Sequence, residues 1–480
     1  MSAEPGNEYL TISDALTALR AGEVTSVSLM ESAIAAADAH DAKLGIYLAR
    51  FDASALEAAY AADAAYASGD PVGSLTGIPL GIKDIITSTE GPTTAQSLVH
   101  DSSWGDQLDA PVVARLRAAG GLICGKTTTM EFATGVPDLS KPFPVPRNPW
   151  HEDHWTGGSS SGTGNGVAAG AFLGGLGTDT GGSIRMPAAF CGISGIKATF
   201  GRVPKSGCVP LGYSLDHIGP MARSARDCAI MLSALAGYDA SDPTTVEEPV
   251  PDYTLALGGD LTGIRIGVDS LQRFAVNGDS VVAERFERAV ESMAALGATI
   301  VPVQLPYYRE VAAAARITSR SEAFAYHALD MQSRWDEYFA ATRQGVGSSP
   351  FNTGADYVQA QRVRRVGQKA IAELFSTVDI ILTPMASTEA PTIDSLAQSF
   401  GDRFALVHAA YWNGLGHPAL SVPMGYGESG LPLGLQVIGK PFDESGVLKV
   451  GDAFQQVTTW HLDVAPMIAG ASTGYAVAAA

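Results

Sequence analysis

Helices on both faces of a mixed sheet are the architecture this sequence predicts, an α/β fold. Three observations carry that expectation. Hydrophobic residues make up 46% of the 480 residues and charged residues only 17%, enough apolar material for a large core. Short apolar runs of strand length, punctuated by glycine, recur along the chain. Between them, small and apolar positions return at helical spacing.

The first 70 residues read as helix, through Leu29, Ala33 and Ile34 and again through Leu56, Ala59, Tyr60 and Asp63. From Thr76 the pattern changes to a short apolar run, residues 77–84, that ends at Lys83 and Asp84. Residues 112–119 form an amphipathic helix with Arg115 and Arg117 outward, and Gly120-Gly121 introduces a brief strand at 122–124. Further buried strands are expected at 264–268, 299–301 and 379–382. Residues 307–370 are mostly helical and richer in charge and aromatics, and read as a cover over the sheet. No internal repeat or linker divides the chain. At about 150 residues per domain the length alone suggests three domains, but residues 71–465 read as one, with 1–70 packed on it and 466–480 as a loose tail.

Composition excludes several partners. Fifty acidic residues against 31 basic ones give a net charge of −19, which disfavours a nucleic-acid backbone or an anionic membrane. Residues 1–10 lack the basic start and apolar run of a signal peptide. No stretch of about 20 uninterrupted apolar residues is present to span a bilayer. The spacing of Cys124, Cys191, Cys208 and Cys228 fits neither a CxxC metal site nor a small-domain disulfide framework, and the histidines form no HExxH pattern. A cytoplasmic enzyme without a structural metal is the expectation.

Residues 157–183 hold 11 glycines in 27 positions, against 53 in the whole chain, together with seven serines and threonines. Glycine lets backbone N–H groups approach a ligand, and hydroxyls beside such a backbone suit anion binding or a serine nucleophile facing an oxyanion hole. A flexible glycine-serine linker is disfavoured by the apolar run 167–173, which reads as buried. Three short motifs compete. Residues 120–127 match the P-loop letter for letter, but a helix precedes them and the positions between the glycines look like strand. Gly158-Ser159-Ser160-Ser161-Gly162 matches the GxSxG elbow without a buried strand leading in. Residues 164–169 resemble a dinucleotide fingerprint, again without that strand.

A longer pattern accounts for more residues. Residues 157–162, followed by Gly177-Thr178-Asp179-Thr180-Gly181-Gly182-Ser183-Ile184-Arg185-Met186-Pro187, resemble the signature of the amidase signature family of serine hydrolases. Residues 77–84 resemble that family's lysine motif, and residues 195–202, 214–220 and 417–425 match its later motifs in order. The resemblance runs from about residue 13 to 438 and implies the amidase signature fold, with a mostly parallel twisted sheet. It also implies a Ser–cis-Ser–Lys triad: Ser183 as nucleophile, Ser159 as bridging serine in a cis peptide with Gly158, and Lys83 as general base. A serine hydroxyl needs a base to take its proton, and a lysine serves at neutral pH only when burial lowers its pKa. The backbone N–H groups of Thr180, Gly181, Gly182 and Ser183 fall on the family's oxyanion hole. Ser160 is expected to bond Lys83, and Asp179 and Arg185 to fix the loop. Cys191 and His217 are expected to pack. No cofactor or metal is implied. Where the family usually has glycine, this chain has Ser161, and where it often has serine, Thr163; a left-handed backbone at 161 would be strained.

Three functional classes follow. The first is a stand-alone amidohydrolase cleaving an aryl or alkyl carboxamide, carbamate or ester through an acyl-enzyme on Ser183, as the family's fatty acid amide hydrolases, peptide amidases, aryl acylamidases and urethanases do. A second is a component of an amidotransferase, resembling the A-type chain of the glutamyl-tRNA amidotransferase. That chain usually carries glutamine where this one has Met186, which places the hydrolase first. A catalytically dead binding protein is the third, disfavoured by the intact triad. The acyl pocket is expected among Phe324, Tyr326, Trp335, Tyr338 and Phe339. Partners are a small-molecule amide or carbamate, with a homodimer left open by analogy.

Overall fold

The computed structural model describes residues 11–69, 71–275, 278–396 and 406–469. The readings of residues 1–10 as leaderless and of the tail beyond 469 as loose lie outside the described residues. The strands are β1 (Tyr47–Arg50), β2 (Pro79–Lys83), β3 (Leu122–Thr127), β4 (Arg147–Asn148), β5 (His151–Trp155), β6 (Gly174–Thr178) and β7 (Ser194–Lys197). They continue with β8 (Ile218–Ala222), β9 (Arg265–Val268), β10 (Thr299–Pro302), β11 (Ile380–Pro384), β12 (Ala419–Tyr426) and β13 (Pro432–Ile438). All but β4 and β5 join one mixed sheet in the order β1-β3-β2-β6-β8-β7-β12-β13-β11-β9-β10.

Parallel pairing runs through two blocks, β3-β2-β6 and β11-β9-β10. Between them the strands alternate in direction, and the hairpin β12–β13 turns back over residues 427–431. Every residue of β2, β3, β6, β7, β8, β11 and β13 is buried, as a sheet covered on both faces requires. The expected strands at 122–124, 264–268, 299–301 and 379–382 appear as β3, β9, β10 and β11. Because 122–127 is a strand and not a loop, the P-loop match carries no phosphate cradle. The polar β5 pairs with β4 outside the main sheet, with one further bridge from His154 to Thr392, so the GxSxG match has no buried lead-in strand.

The first 70 residues are three helices, α1 (Ile12–Ala21), α2 (Ser26–Leu44) and α3 (Asp52–Ser68), with β1 set between the last two. α4 is Pro111–Ala118, with proline at its first turn where the missing N–H costs nothing. The glycine window folds as helix α5 (Ser161–Ala168), strand β6 and, after the turn at 179–184, helix α6 (Arg185–Cys191). β6 is glycine-rich because its neighbours stand close: a Cβ on Gly175 would lie 2.7 Å from the Gly81 carbonyl oxygen of β2. The expected helical cover is α9 (Tyr308–Ser333), α10 (Ala340–Val346) and α11 (Gly354–Leu374), after α7 (Ala225–Leu235) and α8 (Ser280–Ala295).

Candidate active site

Three neighbouring elements meet at one buried amine. Lys83 is the last residue of β2, and Thr178 is the last residue of the adjacent β6. Ser159 and Ser160 immediately precede α5. Lys83 Nζ lies 2.7 Å from Ser159 Oγ, 2.7 Å from Thr178 Oγ1 and 3.1 Å from Ser160 Oγ. The lysine is fully buried. Burial pushes its pKa from 10.5 down to about 7, against weaker upward pulls from Cys208, Asp179 and Asp216.

The hydrogen bonds around Ser160 fix the direction of the amine. Its hydroxyl donates to the Thr178 carbonyl at 3.2 Å and accepts the Thr178 N–H at 3.1 Å, so towards Lys83 it can only accept. A neutral amine that directs its two hydrogens at Ser160 and Thr178 leaves its lone pair for the Ser159 hydroxyl. That arrangement suits a general base. Thr178 was not singled out from the sequence, although it lies in the quoted motif five positions before Ser183.

The Gly158–Ser159 peptide is cis. Met130 N–H donates to Ser159 O at 3.2 Å, and Ser160 N–H donates to Ser183 O at 3.2 Å, which ties the residue after Ser159 to the Ser183 backbone. Ser183 itself is half-buried. Ser161 is the first residue of α5, so its backbone is right-handed, and its hydroxyl donates to Gly157 O at 2.7 Å. The departure at 161 therefore carries no backbone strain.

The turn bearing Ser183 is held by a buried ion pair. Arg185 Nε and Nη2 donate to the two Asp179 carboxylate oxygens at 2.9 and 3.0 Å. Arg185 also donates to Gln436 Oε1 at 2.9 Å and Asn413 Oδ1 at 2.6 Å, and Asn413 Nδ2 returns to Asp179 Oδ1 at 2.8 Å. Burial alone would raise the Asp179 carboxyl, but the Arg185 guanidinium outweighs it and holds the group well below the usual carboxylate range. Asp179 in turn accepts the Gly182 N–H at 2.7 Å and the Ile184 N–H at 3.3 Å, one on each side of Ser183. The Gly182 amide is thus already engaged, which corrects its expected place among the oxyanion donors. The Thr180, Gly181 and Ser183 amides carry no hydrogen bond among the described residues. A Cβ built on Gly181 meets nothing within 4 Å, so that backbone faces open space.

A model of the family described as Amidase matches residues 28–448. The chain belongs to the amidase family. It is 39% identical over 482 residues to the A-type chain of the glutamyl-tRNA(Gln) amidotransferase of Chloroflexus aggregans, covering 94% of this chain and 97% of that relative. Among solved structures it is similar to the native peptide amidase of Stenotrophomonas maltophilia, with a TM-score of 0.81 and 30% identity over 93% of this chain and 96% of that one. It is also similar to a chain from a vestigial protein complex that bears on the origins of an s-triazine catabolic enzyme. There the TM-score is 0.87 and the identity 29%, over 95% of this chain and 100% of that one.

Beside the site of this amidase-family chain lies a cavity of about 260 Å³, lined near the triad by Ile85, Ala133, Thr178, Thr180 and Cys208 and farther out by Lys205 and Asp242. None of the five aromatics expected in the acyl pocket lines it. Tyr338 and Phe339 are core residues packed near Phe132 and Phe143, and Phe324 packs on the main core. Tyr326 and Trp335 are surface residues, 45% and 44% exposed. Helical spacing cannot tell a cavity-lining aromatic from a packed one, and here packing accounts for the buried members. Cys191 is buried, its thiol 3.4 Å from Thr156 O. Asn413 and Gln436 lie 228 and 251 residues from Arg185, and no spacing in the sequence signals them. No helix among the described residues is long and apolar enough to cross a membrane.

Proposed function

We propose that the chain cleaves a carboxamide by acyl transfer to Ser183 with release of ammonia, and that it does so as the amide-splitting component of an amidotransferase. The observation carrying the chemistry is the buried Lys83 amine, held within hydrogen-bond distance of Ser159, Ser160 and Thr178. Neutral Lys83 takes the Ser159 proton while Ser159 takes that of Ser183, whose Oγ attacks the amide carbon. The N–H groups of Thr180, Gly181 and Ser183 are placed to receive the developing oxyanion. The proton returns through Ser159 to the leaving nitrogen, ammonia departs, and water releases the acid from the acyl-enzyme.

The sequence placed a stand-alone hydrolase first. The amidotransferase setting is supported better, because the 39% identity to the Chloroflexus amidotransferase chain extends over 97% of that relative. With a net charge of −19, RNA contacts in such an assembly would belong to another component. Met186 in place of the usual glutamine, and the likeness to a peptide amidase, support the stand-alone reading. Ammonia release from glutamine and nitroaniline release from acyl nitroanilides, measured for wild type beside Ser183→Ala, test the chemistry. Wild-type-only activity is expected, and equal activity in the variant refutes Ser183. Measuring the same rates and the solution mass after co-expression with candidate partner subunits tests the setting. Glutamine turnover that rises in a stable heteromer is expected, and glutamine turnover by the chain alone that no partner raises refutes the amidotransferase setting.

A further inference from the structure

We infer that Lys197, a second buried lysine outside the triad, is a positioning residue: acting through His217, it fixes the backbone of Asp179 and with it the turn that presents Ser183. The inference rests on the acyl-transfer reading for its effect on turnover, and on geometry alone for its effect on the turn.

Lys197 ends β7 and is fully buried. Its Nζ lies 2.5 Å from His417 O, 3.1 Å from Ala198 O and 3.4 Å from His217 Nε2. Three acceptors thus surround one amine, whose pKa burial lowers from 10.5 to about 7, as it does that of Lys83. The histidine's tautomer follows from its other nitrogen. His217 Nδ1 faces two carbonyl oxygens, Leu215 O at 2.6 Å and Asp179 O at 3.1 Å, and a carbonyl can only accept. Nδ1 therefore carries the hydrogen and Nε2 offers its lone pair to Lys197. Burial, reinforced by the Lys197 charge, pushes the imidazole pKa down and keeps the ring neutral.

His217 stands just before β8, whose first residue pairs with Thr178 at the end of β6. One step further, Asp179 N–H donates to His217 O at 2.9 Å and His217 N–H donates to Asp179 O at 3.2 Å. The ladder between β6 and β8 is thus extended onto Asp179, and the imidazole N–H, shared with the nearer Leu215 O, also faces that residue's carbonyl. Through His417 O the lysine also holds the approach to β12. Asp179 is the pivot of the site. Its carboxylate grips the amides flanking Ser183, and the residue before it bonds Lys83. A buried amine is a poor choice for packing, since an apolar side chain of the same length would avoid its desolvation. What the amine adds here is order: its bonds tie the end of β7 to the approaches to β8 and β12.

The test compares Lys197→Met, His217→Leu and the double variant with wild type, reading kcat and KM for the best amide substrate. The same proteins are examined for amide hydrogen exchange at residues 179–184. Lys197→Met is expected to lower kcat about 10- to 100-fold, to leave KM within about twofold, and to speed exchange in the turn. The acid limb of the pH profile should persist in Lys197→Met, which separates Lys83 from Lys197, since burial brings both to about 7. In the His217→Leu background Lys197→Met should cost less than it does alone, because part of its effect passes through the ring. Wild-type kcat, unchanged exchange, additive effects or a lost acid limb would each overturn the inference. If Lys197→Met fails to fold, His217→Asn against His217→Leu decides, since asparagine keeps a donor near the Nδ1 position. Retained order in the first with loss in the second is expected, and equal loss refutes the role of the ring. A wild type without Ser183-dependent turnover would sink the proposed chemistry alone, and hydrogen exchange would still judge the turn.

Discussion

Lys83 carries the charge logic of the site, and its buried position makes two pH statements. A base must be neutral, and this amine becomes neutral as pH rises through about 7. kcat/KM should therefore climb roughly tenfold per pH unit below 7 and level off above it. A flat profile between pH 5 and 8 would refute Lys83 as base. Stability moves with the same group. Folded Lys83 titrates near 7 and its unfolded reference lies at 10.5, so between those values the unfolded chain binds the extra proton and wild-type stability rises with pH. Lys83→Met removes that dependence. Relative to wild type its thermal stability should be greatest at pH 7 and below and should fade towards pH 10.5, with activity lost throughout. The meeting of Lys83 and Ser159 was legible in the sequence because each lies, like Ser183, inside a long local pattern. Thr178 lies inside one too, and only its bond to Lys83 shows its part.

The element that matters most is the turn from Asp179 to Arg185 between β6 and α6. Its ion pair is bidentate and fully buried, so removing one partner strands the other charge. Asp179→Ala should destabilise the protein by about 3–5 kcal/mol, and chemical denaturation would measure it. A loss under about 1 kcal/mol would show that Asn413 and Gln436 suffice to hold Arg185. Asp179→Asn should keep more stability than the alanine variant, with the Gly182 amide still bonded. Elements of ordinary composition were legible: β2, β3 and β9 to β11 fall on the apolar runs, and α4 on its amphipathic pattern. β6 was not, because Gly174, Gly175 and Gly177 lack the branched side chains by which strands are recognised. Its strand character comes from neighbours on both sides, and each of the three glycines stands where a Cβ would press on a packed atom. β1 was lost for a different reason, being four residues between two long helices.

At the scale of the molecule, the sheet places β2 beside β6 and so brings Lys83 within reach of residues far along the chain. Ser159 and Thr178 are 76 and 95 residues away in sequence, and the bonds that brace the turn reach from Asp179 to Asn413 over 234 residues and from Arg185 to Gln436 over 251. Closing loops of that length costs entropy before any contact repays it. Gln436 lies on β13, so a growing or refolding chain lacks this brace until nearly its last strand is seated. The site is therefore a clock for the completion of folding. After dilution from denaturant, amide cleavage should return no earlier than the slowest phase of tryptophan fluorescence, to which Trp412 beside Asn413 contributes. Activity recovered ahead of that phase would mean that the nucleophile turn can hold its shape before the C-terminal strands arrive.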